Sequence, residues 1–140
     1  MSEEQATYQC SLSAQELRIG NWVYDGECTR FPMQVVVLGR DWAHLDFHGN
    51  EDIKDLRPIE LTEELFKKNG FSLRKSLGTI DSYWLQRENA QIHAYKSFYG
   101  WMVHIYDERY ITVFSKKINH LHQLQNAYFM ATGEELEVKL

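Results

Sequence analysis

Between Ile80 and Phe114 apolar and polar residues alternate in four short runs, and a period of two belongs to strands buried on one face. The runs cover 80–86, 91–96, 101–106 and 109–114, and the polar segments between them are short enough to be hairpin turns. A four-stranded antiparallel meander follows. Its turns set Leu85 opposite Ile92, Ala94 opposite Val103, and Val103 opposite Thr112. One face then holds Tyr83, Leu85, Ile92, Ala94, Trp101, Val103, Ile105, Tyr110 and Phe114 as a core. The other holds Trp84, His93, Tyr95, Met102, His104 and Tyr106, with Ile111 and Val113 beside them.

Upstream, short β-prone runs at 19–24 and 33–38, an alternating run at 42–48 and a segment at 52–57 are joined by the turn signals Asp25-Gly26, Gly39 and Gly49-Asn50. Four or five such strands in about 40 residues predict a small SH3-like β-lobe over 16–60, preceded by an N-terminal arm over 1–15. Residues 61–71 form a linking helix. Thr62 is placed to cap its start, Glu63 and Glu64 suit its positive end, Lys67 and Lys68 suit its negative end, and Asn69-Gly70 stops it. Residues 72–140 form the second lobe. There the apolar positions Ile118, Leu121, Leu124, Tyr128 and Ala131 predict a helix over 118–132, ended by Gly133. The alternation of Leu136, Val138 and Leu140 allows a final strand. The fold class is therefore α+β: an SH3-like β-lobe, a short helix, and a meander packed by a C-terminal helix.

Among 140 residues, 15 Lys and Arg stand against 20 Asp and Glu, a net charge of −5. That balance argues against a polyanionic partner held by overall charge. The charge is uneven: residues 1–70 carry 13 acidic and 7 basic side chains, whereas 71–140 carry 7 and 8. Aromatic residues gather in the second half. No apolar leader opens the sequence and no uncharged run is apolar enough for a lipid core, so the expected location is cytoplasmic, with no membrane association. Cys10 and Cys28 belong to no CxxC or CxxH pair, and a reduced state is expected for both.

Two stretches, 55–71 (DLRPIELTEELFKKNGF) and 120–137 (HLHQLQNAYFMATGEELE), resemble segments shared by a family of small uncharacterised proteins from gut anaerobic bacteria, their phages and their mobile elements. They cover about a quarter of the chain, and 17–23 (LRIGNWV) extends the likeness. The resemblance implies a bacterial or phage accessory protein and brings no catalytic residues.

The six residues Trp84, His93, Tyr95, Met102, His104 and Tyr106 make the candidate binding face, either an aromatic platform for a ring or partner side chain or a packed seam against the front lobe. His44, Asp46 and His48 are the candidate metal set, because strand alternation puts two imidazoles and a carboxylate on one face. Alternate residues on a strand lie about 6 to 7 Å apart, so convergence needs a sharp bend. On a helix, His120 and His122 would point in different directions. Dinucleotide, P-loop, serine-hydrolase and HExxH signatures are absent, and Ser115 has no base beside it in the expected register.

The sequence thus favours a non-catalytic interaction protein without a cofactor. It would bind another protein, or a second copy of itself, through the acidic β-lobe or the aromatic sheet face. A metal-dependent hydrolase or nuclease built on His44, Asp46 and His48 is the alternative. A single-strand nucleic-acid binder, with Lys96, Arg109, Lys116 and Lys117 for phosphates, is the third reading.

Overall fold

A computed structural model describes residues 12–26, 31–75 and 80–140. Cys10, Cys28 and most of the expected N-terminal arm lie outside the described residues. The fold is α+β, with two antiparallel sheets and two helices among the described residues. None of these helices is long and apolar enough to cross a membrane. The chain divides into two compact units: the described residues up to Glu60 together with His120–His122, and Leu61–Asn119 together with Gln123–Leu140.

In the first unit, strands β1 (Trp22–Tyr24), β2 (Pro32–Leu38), β3 (Trp42–Leu45), β4 (Gly49–Asp52) and β5 (Arg57–Pro58) form a sheet in the order β4-β3-β2-β1-β5. A single 3₁₀ turn, Ala14–Glu16, precedes this set, and a second, Ile53–Asp55, lies between β4 and β5. The Val35-Val36-Val37 run contains a bulge: Val35 pairs with Leu45 but Val37 pairs with His44. The extra residue leaves Val35 fully buried while Val36 and Val37 are exposed. Val35 packs with Leu12, Leu17, Val23, Ala43, Leu45, Ile53 and Leu56 as the core of this unit.

The expected strand over 42–48 ends early. After Leu45 the backbone turns, with Phe47 at a φ of 64° and fully exposed, and the chain re-enters the sheet as β4. Gly49 and Asn50 therefore open β4 rather than close β3. Between Leu45 and Gly49, which pair directly, three residues make the hairpin.

The second unit opens on α1 (Glu63–Lys68). Thr62 Oγ1 accepts the Leu65 N–H at 3.1 Å, which satisfies a donor the helix leaves orphaned. Gly70, at a φ of +83°, supplies the left-handed stop, and Phe71 folds back onto Phe66 with ring centroids 4.9 Å apart. Strands β6 (Ser72–Arg74), β7 (Ser82–Gln86), β8 (Ala90–Ser97), β9 (Gly100–Asp107) and β10 (Thr112–Ile118) follow as a meander in the order β10-β9-β8-β7-β6. The sheet thus has five strands, one more than expected. Helix α2 (Leu121–Thr132) closes the chain's regular structure.

Pairing of Leu85 with Ile92 and of Ala94 with Val103 is as the turns predict. The last pairing is not. Val103 faces Lys116, and Thr112 faces Tyr106, because β10 starts later and contains a bulge at Val113. Tyr110, expected in the core, sits in the turn at a φ of 63° and is exposed. Ile118, expected to begin the helix, ends β10 instead, and the helix starts at Leu121.

Phe66 is the centre of this unit's core. Its ring lies 5.6 Å from Tyr83 and 4.7 Å from Trp101 between centroids, edge-on to the indole. The Trp101 indole N–H donates to the Leu61 carbonyl at 3.0 Å, so the polar atom of the largest buried side chain is satisfied. Residues 134–140 form no strand. They run in irregular conformation with Leu136 buried, and Asn69 holds Lys139 by two hydrogen bonds to its backbone.

Candidate functional site

Antiparallel pairing fixes which residues share the outer face of the second sheet. Three rows run across it. The first is Arg74, Ser82, Tyr95, Met102 and Lys117; the second is Ser72, Trp84, His93, His104 and Ser115; the third is Gln86, Gln91, Tyr106 and Thr112. All six residues proposed from the alternation lie here, and each is half-buried. Neither Ile111 nor Val113 joins them in regular register: Ile111 precedes β10 and Val113 is the bulged residue.

The second row is a continuous stack. Trp84 and His93 lie face to face, with centroids 3.8 Å apart and planes 10° from parallel. From the strand on the other side, the Arg74 guanidinium sits over the Trp84 ring at 4.6 Å. His93 and His104 follow at 5.8 Å and 25°. Tyr95 flanks both histidines, and Tyr106 flanks Trp84 and His104. Both faces of the Trp84 ring are thus occupied by neighbours from β6 and β8. Its indole N–H donates to Ser82 Oγ at 3.0 Å.

The row ends on a hydrogen bond between Ser115 Oγ and His104 Nδ1, 2.8 Å long. This bond fixes the imidazole and leaves Nε2 for another group. Alternation missed this contact because the expected register sets Ile111 opposite His104, whereas the later start of β10 and the bulge at Val113 bring Ser115 there. The face rows contain no carboxylate to orient the imidazole in turn, so the serine–histidine pair lacks the third member that activates such nucleophiles. Arg74 and Ser115 are among the face residues that sequence reasoning did not place. A β-bulge leaves little mark on a single sequence, although the Ile111-Thr-Val113 run breaks strict alternation.

Electrostatics follows from the arrangement. Partial burial lowers the His93 pKa, and the charges of His104 and Arg74 push it the same way. Lys117 reaches over the Tyr99 ring at 5.4 Å. The two fixed cations of the face, Arg74 and Lys117, therefore lie against rings at opposite edges of the sheet.

The candidate metal residues do not share a strand face. His44 lies on β3, whereas Asp46 and His48 lie in the turn after it. His44 Nδ1 is 2.7 Å from Asn50 Oδ1, and His48 Nε2 is 2.8 Å from Glu51 Oε1. Among the described residues no group of three or more His, Cys, Asp or Glu side chains is placed to hold a metal ion.

His120 precedes α2 and forms an isolated bridge with Glu60, so it does not obey helical spacing relative to His122. Their rings stack at 5.8 Å. His122 is fully buried and its Nε2 lies 2.9 Å from Glu16 Oε1, while Nδ1 has no hydrogen-bond partner. Local periodicity does not mark this imidazole as internal.

Comparison of the chain with protein-family models, with curated proteins and with solved structures finds no match.

Proposed function

We propose that the chain is a non-catalytic binding protein that recognises a partner protein through the outer face of its second sheet. The observation that carries this reading is the stack of Trp84, His93 and His104 with Tyr95 and Tyr106 beside it. Aromatic and amphipathic side chains with little rotamer freedom are the residues that contribute most at protein interfaces. Here they are held by their neighbours before any partner arrives, which lowers the ordering cost of binding.

The same geometry disfavours the nucleic-acid reading. Bases stack on free ring faces, and both faces of Trp84 are taken by Arg74 and His93. What such rings offer a partner is their edges: phenol hydroxyls and imidazole nitrogens.

The reading takes the protein as a cytoplasmic accessory protein of a bacterium or phage, on the resemblance carried by 55–71 and 120–137. It also keeps the SH3-like description of the front unit. The strand order β4-β3-β2-β1-β5, with a 3₁₀ turn just before the strand that returns to β1, supports it.

Selection of binders from a random displayed-peptide library, followed by NMR mapping on the intact protein, tests the function. The expected result is that selected peptides shift the Trp84 indole and the His93 and His104 imidazole resonances. Binders that leave these resonances in place and shift the first unit would overturn it.

A further inference from the structure

The rows of the outer face contain no Asp or Glu, although the chain has 20 of them. The carboxylates of the second half, Asp81, Glu88, Asp107, Glu108, Glu134, Glu135 and Glu137, all fall outside those rows. What the face does carry is one cation at each edge, Arg74 on β6 and Lys117 on β10, with two imidazoles between them. Each edge cation lies against an aromatic ring, at 4.6 Å for Arg74 over Trp84 and 5.4 Å for Lys117 over Tyr99. A ring holds the side chain in place without cancelling its charge. Donors are spread between these cations: the hydroxyls of Tyr95, Tyr106 and Ser115, and the side-chain amides of Gln86 and Gln91.

We infer that the occupant of this face is an acidic peptide segment of a partner protein, its carboxylates meeting Arg74 and Lys117 at the two edges and its backbone or side chains meeting the tyrosine and histidine edges between them. The inference rests on the binding role of the face and adds the chemistry of the partner. Charge complementarity selects it, since a carboxylate-free surface on a protein of net charge −5 favours anions locally while the remainder of the surface repels them. A partner of this kind uses the donors at the ring edges, which a stacked base does not. Burial is the main cause of the depressed His93 pKa, and the charges of His104 and Arg74 lower it further.

Fluorescence anisotropy on the full chain tests this with three labelled probes of equal length: oligoglutamate, oligoglutamine and oligo-dT. Oligoglutamate is expected to bind in a salt-sensitive way and to shift the Trp84 indole resonance. The double variant R74Q/K117Q should weaken it by about tenfold or more. A charge-matched control, R40Q/K54Q, removes two cations from the first unit and should leave binding within about twofold. Equal loss in both double variants would mean that overall charge alone is responsible and would overturn the inference. Oligoglutamine binding at the Trp84 resonance as tightly as oligoglutamate would overturn the acidic specificity and leave the binding role standing. Oligo-dT binding more tightly than oligoglutamate would overturn the peptide assignment in favour of nucleic acid. If no probe binds and library selection also yields nothing on this face, the binding role falls as well.

Discussion

Asn69 and Lys139, 70 residues apart, are joined as a backbone pair would be: the Asn69 carbonyl oxygen Oδ1 accepts the Lys139 N–H at 2.6 Å, and Asn69 Nδ2 donates to the Lys139 carbonyl at 3.0 Å. Nδ2 also donates to the Leu65 carbonyl at 2.8 Å, at the end of α1. One side chain therefore serves both a helix C-terminus and the end of the chain. Asn69→Ala removes all three bonds, and a loss of about 1 to 2 kcal/mol is expected for exposed and half-buried neutral contacts of this kind. Urea denaturation gives the magnitude. Hydrogen exchange at the Lys139 amide should accelerate more than at core amides, and an unchanged rate there would refute the role assigned to Asn69.

Stability should fall as the solution is acidified below about pH 6.5, the ordinary imidazole value. Burial lowers the His122 pKa most strongly, against the opposing bond and charge of Glu16, while the charge of His120 lowers it further. His120, facing Glu60 and Glu16, is also lowered by burial. An imidazole whose folded pKa lies below its unfolded one binds fewer protons when folded. Its contribution is complete above the unfolded pKa and is lost as the pH drops through the window between the two. His122→Gln should flatten the slope of unfolding free energy between pH 7.5 and 5. An equally steep slope in the variant would assign the effect to other groups.

Gly26→Ala should be among the most damaging single substitutions in the first unit. Its φ is +86°, and an added Cβ would overlap the Asp55 carbonyl oxygen, a backbone atom that cannot swing aside. Conformational strain alone costs about 1 kcal/mol, and the steric overlap adds to it. A melting temperature within a degree of the parent protein would contradict this placement.

Trp101→Phe keeps an aromatic ring against Phe66 but removes the donor that satisfies the Leu61 carbonyl. The buried acceptor left behind, together with the smaller ring, is expected to cost about 2 to 4 kcal/mol. Equilibrium unfolding followed by a probe other than tryptophan emission gives the figure. Trp101→Leu should cost more, because the edge contact with Phe66 also disappears.

Most of the second unit's sheet was legible because tight turns and strict alternation leave few choices of register. Leu85 with Ile92 and Ala94 with Val103 follow from turn length alone. The helix at Glu63–Lys68 was equally readable, since its cap, its charge order and its Asn-Gly stop all agree. The failures share one cause. At Phe47, Tyr110 and the bulges near Val36 and Val113, the backbone departs from regular geometry at non-glycine residues, and composition gives no local warning. The pairing of Ser115 with His104 and the dispersal of His44, Asp46 and His48 both stem from such departures. His122 was hidden for a different reason. Its partner is Glu16, 106 positions away, and no local pattern encodes that contact.

The bulge at Val113 lets Thr112 and Ser115 share one face of the sheet, although an unbroken strand would set them on opposite faces. Thr112 is opposite Tyr106, and the next regular pair is Phe114 with Ile105. Deleting Val113 would therefore close the ladder without moving any later partner. Ser115 would still meet His104, Lys117 would still meet Met102, and Ile118 would keep its buried place. Position 113 is thus a spacer between two segments already in step, and a chain shortened by that one residue should present the same outer surface.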